Sequence, residues 1–325
     1  MLPEHTAYEI MNRLGSQQMP FLFVIDFEGN KPLVFPVDAA ADQQIYYNIK
    51  GSSNTDFQQS GLPDQLIFSR HPVHPDVYKR AFEIVRNGLE YGDSYLLNLT
   101  FATAVETNFS LPQLFVSGNA PYRLLFRDEF VVFSPECFVR ISDNTIRSFP
   151  MKGTIYAGLP DAAAKLLNNP KETAEHHTIV DLIRNDLSMV AEHVRVERFR
   201  YLEEIKTNQK HLLQASSEIS GQLLPGWEAN IGSLLQTLLP AGSVSGAPKK
   251  RTIEIIREAE KSDRGYYTGV FGLFDGKNLD SAVMIRFIEQ RSNGLFFRSG
   301  GGITVNSDAE SEYRELIDKV YVPAV

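Results

Sequence analysis

Residues 267–300 read YTGVFGLFDGKNLDSAVMIRFIEQRSNGLFFRSG. Apolar and aromatic residues fill three runs, and Asp275-Gly276 and Ser292-Asn293-Gly294 punctuate them. Turn residues between such runs specify hairpins. The stretch therefore predicts a meander of three strands: Tyr267 to Phe274, Ser281 to Gln290 and Leu295 to Gly300. Side chains alternate along a strand, which puts Ala282, Met284, Arg286 and Ile288 on one face of the middle one. Arg286 is then a cation on an otherwise apolar face, and such an arginine calls for a carboxylate from protein or ligand. Gly300-Gly301-Gly302 brings bare backbone amides to the last strand's end, where a ligand can approach closely and an anion-binding nest can form.

Beyond the meander, a helix capped by Ser307 or Asp308 carries Glu312, Glu315 and Lys319 on one face. Before it, a helix over Ile231 to Leu239 stops at Pro240. The glycine-rich loop Ala241-Gly242-Ser243-Val244-Ser245-Gly246-Ala247-Pro248 follows, then a helix over Lys249 to Ala259. That loop lacks the Gly-Lys-Ser/Thr ending of a phosphate loop and the pattern of a serine-hydrolase elbow. Arg195 to Ile219 reads as strands with a loop. Asn169-Pro170-Lys171-Glu172 opens a helix as N-cap, first-turn proline and capping acid. Glu172 and Glu175, three apart, share a face near its start. His74-Pro75-Asp76 opens another helix, with Tyr78, Phe82, Val85 and Leu89 at helical spacing. Leu111 to Val116 is a short helix, and Ser94 to Phe101 a strand. Residues 1–74 read as a β-rich portion, with strands at Phe21–Phe27, Leu33–Phe35 and Tyr46–Ile49. His71 and His74 each precede a proline and read as loop residues. The whole chain, 1–325, reads as one domain whose chemistry lies in 75–325.

Two restricting residues hold a lysine in Phe149-Pro150-Met151-Lys152-Gly153-Thr154: Pro150 fixes φ and Gly153 frees it. A strand through Phe130-Val131-Val132-Phe133 ends in Ser134-Pro135-Glu136. A turn is expected at Lys152, with Glu136 at the end of a neighbouring extended segment. Composition bounds the partners. The charge of −8, from 40 acids and 32 bases, argues against a general affinity for nucleic acid. No apolar run approaches the length of a membrane span, and Met1 to His5 lack signal-peptide character. The single cysteine, Cys137, suits a reducing cytoplasm and reads as a small buried hydrophobe.

Two Glu-x-x-Glu pairs stand near helix starts, Glu172/Glu175 and Glu312/Glu315. By spacing alone they are surface acids and a cap. If the two helices face each other, they make an oxygen-rich site suited to Mg²⁺. Here a resemblance becomes specific. The runs Ser134-Pro135-Glu136-Cys137-Phe138, Pro150-Met151-Lys152-Gly153-Thr154, Ala174-Glu175-His176, Arg184-Asn185-Asp186, Pro240 to Lys249, Arg264-Gly265-Tyr266-Tyr267-Thr268-Gly269 and Gly300-Gly301-Gly302-Ile303 with Glu312-Tyr313-Arg314-Glu315 occur in order. The chain resembles the chorismate-binding enzymes, which include anthranilate, aminodeoxychorismate, isochorismate and salicylate synthases.

The resemblance implies an α+β fold of two large, mainly antiparallel sheets packed together with helices outside. It implies that Glu175 and Glu312 bind Mg²⁺ directly, with Glu172 and Glu315 reaching it through water. Arg286 and Tyr267 would hold the enolpyruvyl carboxylate of chorismate, helped by Lys319 and the backbone at Gly301 and Gly302. Ser245, Gly246, Thr154 and Gln214 would border the substrate, and Glu136 would be a general acid for the leaving 4-hydroxyl. Lys152 matches the aminodeoxychorismate synthases, in which a lysine amine adds at C2 before ammonia enters at C4. Anthranilate synthases carry alanine there. A nucleophilic lysine must be neutral, which requires a lowered pKa. Leu96 stands where isochorismate synthases place a water-activating lysine. Gln214 stands where relatives place a histidine, and it cannot shuttle a proton at neutral pH. Cys137 lacks the setting of a glutaminase nucleophile, so ammonia is expected from a separate glutaminase subunit. Competing expectations are anthranilate synthase component I chemistry and a non-catalytic chorismate-binding subunit.

Overall fold

The computed structural model describes residues 6–55, 62–206 and 211–323, and within them the strands form two antiparallel sheets of nine. In the first sheet the path runs Met151–Tyr156, His211–Gln222, Thr145–Ser148, Cys137–Ser142, Leu279–Val283, Val270–Phe274, Phe21–Ile25, Leu33–Pro36, and Glu192–Lys206 also pairs with His211–Gln222. In the second it runs Gly246–Ala247, Leu96–Thr107, Gly294–Ile303, Phe287–Arg291, Phe130–Ser134, Tyr122–Phe126, Ile45–Ile49, Ser52–Ser53, with Phe68–His71 beside Leu96–Thr107. The first 74 residues thus supply strands to both sheets.

Alternation explains why the sheets pack face to face. Leu22 and Val24 join Phe130, Val132, Phe271 and Phe287 in the core between the sheets. Phe21, Phe23 and Ile25 point the other way, into a core shared with the helices Ala7–Ser16, Pro170–Ser188 and Ile231–Leu238. Likewise Val131 and Phe133 face outward, against the helix Leu111–Ser117. The helices Pro75–Tyr91, Lys249–Glu260 and Ala309–Asp318 cover the remaining outer face through Tyr78, Phe82, Ile255 and Leu316. This is the α+β architecture of two packed antiparallel sheets with helices outside.

Three local expectations are corrected. The chain's first described element is a helix, Ala7–Ser16, where strands and loops were expected. Thr6 and Glu9 cap it reciprocally, and Tyr8, Met11 and Leu14 bury one face. The run Ser281 to Gln290 is two strands, Leu279–Val283 in the first sheet and Phe287–Arg291 in the second. The chain crosses between sheets at Met284 to Arg286, and Arg286 takes φ 53° to do so. The expected turn at Lys152 is a bulge inside the strand Met151–Tyr156. Met151 pairs with Ser216 and Thr154 with Gln214, so the lysine strand carries one extra residue there. That strand lies in the first sheet, whereas Phe130–Ser134 lies in the second. Glu136 and Lys152 come to line one cavity through sheet packing, not as ends of neighbouring strands.

The inter-sheet core is held by a stack of rings: Phe126 and Phe130 have centroids 4.9 Å apart, and Phe130 and Phe287 4.7 Å apart. Burying one such side chain stabilises the fold by about 1.5–3 kcal/mol, and truncating it adds the penalty of a cavity. Phe130→Ala is therefore expected to lower stability by about 3–5 kcal/mol, read from the urea midpoint at unchanged m-value.

Candidate active site

The chain crosses from one sheet to the other at two places that hydrogen-bond to each other. Ser134 to Cys137 is one, and Val283 to Phe287 the other. Phe133 N–H donates to the Arg286 carbonyl (3.1 Å) and Val283 N–H to the Glu136 carbonyl (3.2 Å). Glu136 and Arg286 therefore stand side by side. Pairing between Phe287–Arg291 and Gly294–Ile303 ends at Arg298, while the ladder to Leu96–Thr107 continues to Ile303. From Ser299 to Gly302 the strand keeps one open edge. That edge, the two crossings, the Lys152 bulge and the loop at Ser243 and Val244 enclose a cavity of about 160 Å³.

The cavity gathers Glu136, Lys152, Glu175, Tyr267, Arg286, Gly301, Gly302 and Lys319. Thr154, Gln214 and Glu315 line a wider depression beside it, which also touches Arg286 and Lys319. Ser245 and Gly246 are set back. The Ser245 hydroxyl donates to the Ala241 carbonyl (2.9 Å), and Gly246 pairs with Leu97, which ties the loop to the second sheet. Of that loop, Ser243 and Val244 reach the cavity.

Each glutamate pair has a member against a glycine of the site. A Cβ on Gly301 would lie 3.5 Å from both Glu312 Oε2 and Glu315 Oε1, and one on Gly153 would lie 3.1 Å from Glu172 Oε2. Gly153 itself takes φ 87°. Three lysines stand among the four carboxylates. Lys152 Nζ is 2.6 Å from Glu175, Lys319 Nζ 2.6 Å from Glu315, and Lys171 Nζ 3.4 Å from Glu312 and 3.8 Å from Glu175. Lys171 thereby links the two glutamate helices, a role its sequence position in a first turn did not reveal. Among the described residues no three His, Cys, Asp or Glu side chains converge as ready metal ligands. Yet Glu172 Oε2 and Glu175 Oε1 are buried without hydrogen-bond partners. Mg²⁺ takes hard oxygen donors and often only one or two protein carboxylates, so this donor set fits it.

Charge states follow from these contacts. Burial pushes the Glu136 carboxyl above its ordinary value, only partly offset by the Ser243 hydroxyl at 2.5 Å and by Arg286 and Lys319. The group is poised as a proton donor. For Lys152, burial acts to lower the pKa, but Glu175, with Glu315 and Glu172 behind it, outweighs burial and the pKa is raised. The lowered value that a nucleophile needs is not what this arrangement supplies. Lys319 is lowered, by burial first and by Arg286 and Lys152, against the pull of Glu315. Tyr267 is pushed up to about 12 by burial, so its phenol stays protonated. His176, fully buried, accepts or donates to Ser217 Oγ at 2.7 Å behind the lysine; burial drops its pKa to about 4.

Unpaired polar atoms mark the cavity as a binding site. Asn98 Oδ1, Glu175 Oε1, Arg286 Nε, Arg298 Nε and Ser299 Oγ all belong to cavity-lining residues and are buried without hydrogen-bond partners. Buried polar atoms are rarely left unsatisfied, and here a polar ligand would satisfy them. Ser243, Asn98, Arg298 and Ser299 were not singled out from sequence. Ser243 lies two residues before Ser245 in the same glycine-rich loop.

Sequence profiles of chorismate binding enzymes match residues 35–324. The chain belongs to the chorismate binding enzyme family. This chorismate-binding enzyme is 55% identical over 315 residues to an uncharacterized PabA-like protein of Haemophilus influenzae, covering 97% of this chain and 95% of that one. It is 35% identical over 262 residues to aminodeoxychorismate synthase component 1 of Escherichia coli, covering 75% of this chain and 56% of the relative. Among solved structures, anthranilate synthase component I from Streptococcus pneumoniae superposes with a TM-score of 0.67 at 29% identity, over 80% of this chain and 60% of that one.

The raised Glu136 pKa carries a sign. Above an ordinary carboxyl value of 4.5 the unfolded chain ionises first, so the native state binds more protons and stability falls as pH rises. Glu136→Gln removes this loss. Its urea midpoint is expected to exceed that of the wild type at pH 7, with the gain vanishing below about pH 4.5.

Proposed function

We propose that the chain is the synthase component of an aminodeoxychorismate synthase, converting chorismate and ammonia to 4-amino-4-deoxychorismate for p-aminobenzoate and folate synthesis. The observation that carries this reading is a lysine amine and a half-buried carboxylic acid lining one cavity, Lys152 on the first sheet's bulge and Glu136 on a sheet crossing. The bulge sets Lys152 on the cavity wall, and burial shifts Glu136 toward its protonated form.

The chemistry divides between them. The Lys152 amine forms a bond to C2, the two ring double bonds shift, and the C4–O bond breaks as Glu136 gives its proton to the departing hydroxyl. Water leaves. Ammonia then bonds to C4, the double bonds shift back, and the C2–N bond to Lys152 breaks. Covalent catalysis splits one hard substitution into two easier ones. Lys152 is stored as an ammonium by Glu175 in this structure, so attack requires it to shed a proton and part from that carboxylate. Arg286, Tyr267 and Lys319 would orient the substrate through its enolpyruvyl carboxylate, with Gly301 and Gly302 offering an open backbone edge. Glu175 and Glu312 would hold Mg²⁺, with Glu172 and Glu315 behind water, and the charge supplied there would steady the ring carboxylate.

Ammonia would come from a separate glutaminase subunit, in the cytoplasm. Both the PabA-like relative and the component 1 names support a two-subunit arrangement. No described helix is long and apolar enough to cross a membrane. Anthranilate synthesis, direct amination at C2, is the rival reading, and Lys152 at the reacting wall is what disfavours it.

Incubation with chorismate, Mg²⁺ and ammonium, with products identified by mass and fluorescence, decides between them. The expected product is the 4-amino compound; anthranilate as the main product would sink the assignment. Lys152→Ala is expected to slow C4 amination by about a thousandfold or more, and a wild-type rate would remove the covalent role. Glu175→Ala should abolish the dependence of turnover on Mg²⁺, and an unchanged Mg²⁺ titration would refute the proposed ligand.

A further inference from the structure

Among the described residues three arginines are almost wholly buried, and Arg264 shows what a fully bonded structural guanidinium looks like here. Arg264 is 4% exposed. It binds Glu260 through Nε at 3.0 Å and a terminal nitrogen at 2.6 Å, and reaches the carbonyls of Val244 (2.7 Å) and Asn98 (2.6 Å). Arg200 reaches the carbonyls of Leu167 (2.8 Å) and Leu166 (3.0 Å) and the Thr173 hydroxyl (2.5 Å). Arg298 differs. It is 3% exposed, yet its two polar contacts, to the Asp263 carbonyl and to Glu289, are both 3.4 Å and come from one terminal nitrogen. Glu289 is already claimed by Arg291. Arg298 Nε, like Arg200 Nε, has no hydrogen-bond partner; what sets Arg298 apart is that its terminal contacts are both long and that the hydroxyl of its neighbour Ser299 is unpartnered too.

A guanidinium carries five donors, and burying its charge without compensation is costly. Arg298 is held in this state where the Phe287–Arg291 pairing ends, on the cavity wall beside Arg286, with its guanidinium 5.0 Å from the Tyr267 ring centroid. The geometry points to a second anion seat: Arg298, with Ser299, binds a carboxylate of the substrate alongside Arg286, and its face fixes the Tyr267 ring. Two guanidinium groups then enclose the carboxylate that Arg286 alone was expected to hold. This inference rests on chorismate as the substrate and names a further residue that selects for its enolpyruvyl carboxylate.

Titration calorimetry without ammonia tests it apart from turnover. The probes are chorismate, which carries two carboxylates, and benzoate, which carries only a ring carboxylate. Arg298→Gln is expected to bind chorismate about ten- to a hundredfold more weakly, as for loss of a charge-assisted hydrogen bond, while benzoate affinity changes less than about twofold. Arg298→Lys should recover part of the loss, and Ser299→Ala, a small change that spares the fold, should weaken chorismate alone by about threefold to tenfold. A purely structural role would weaken both probes equally, and that result overturns the proposal. So does wild-type chorismate affinity in both Arg298→Gln and Ser299→Ala. If the wild-type chain binds no chorismate, the reading of the whole site falls and this proposal with it. If it binds chorismate but makes anthranilate, the function assigned above fails while the seat at Arg298 is still judged by the same titrations.

Discussion

The two hydrogen bonds that join the sheet crossings set the geometry of everything around them. A strand that passes from one sheet to the other must leave its ladder, and it exposes backbone groups when it does. Here two crossings satisfy one another, Phe133 to Arg286 and Val283 to Glu136. The second crossing bends through left-handed backbone at Arg286, φ 53°, and Thr268, which packs against it, takes φ 60°. Thr268 N–H is fixed by the Met284 carbonyl at 2.8 Å. A β-branched residue in that region is a genuine outlier, and such outliers persist only where the surroundings over-determine them. The result is a gap between packed sheets, with an acid on one crossing and a guanidinium on the other.

Charged groups crowd that gap. Glu175 with Lys152 lines it, as do Lys319, Arg286, Arg298 and the open glycine edge, while Lys171 ties Glu175 to Glu312 behind. Burying so many charges is expensive unless they are paired, and replacing paired buried ions by apolar residues is often stabilising. The contrast with Arg264 and Glu260 is instructive. That pair is fully bonded, and Glu260 also accepts from the Thr100 amide and hydroxyl at 2.8 and 2.9 Å. It closes a structural junction. The cavity's charges are left partly open, as groups do that await a ligand.

How far the sequence disclosed this depends on whether the determining contacts are local. The helix at Pro170 announced itself through Asn169, whose side chain accepts from the Glu172 amide at 3.2 Å. The meander announced itself through Asp275-Gly276 and Ser292-Asn293-Gly294. The signal for the helix Ala7–Ser16 is equally local, a capping box in Thr6 and Glu9. The break at Met284 to Arg286 was not legible, because alternation continues through it and only the partner crossing dictates where the strand must leave its sheet. Arg298 was hidden for a related reason. A lone arginine in an aromatic strand reads as a solvated side chain, and its burial depends on neighbours far away in sequence. The roles of Glu175, Glu312 and Lys152 came from matching motifs; what geometry adds is that Glu175 and Lys152 line one cavity and that Lys171 bridges Glu175 to Glu312.

The charge on Lys152 is where sequence and structure pull hardest against each other. Two forces of opposite sign act on it: burial favours the neutral amine, and the carboxylates favour the ammonium. The carboxylates win because Glu175 sits at 2.6 Å. That balance is fragile in a particular way. Coulombic attraction falls with distance, whereas the desolvation of Lys152 depends on the closed cavity and stays when Glu175 moves. Separating the two groups therefore does more than remove one contact. It leaves burial unopposed by its strongest rival and turns the lysine toward the neutral form. A resting site that holds its amine as an ammonium is thus compatible with nucleophilic chemistry, provided that what fills the cavity also draws Glu175 away.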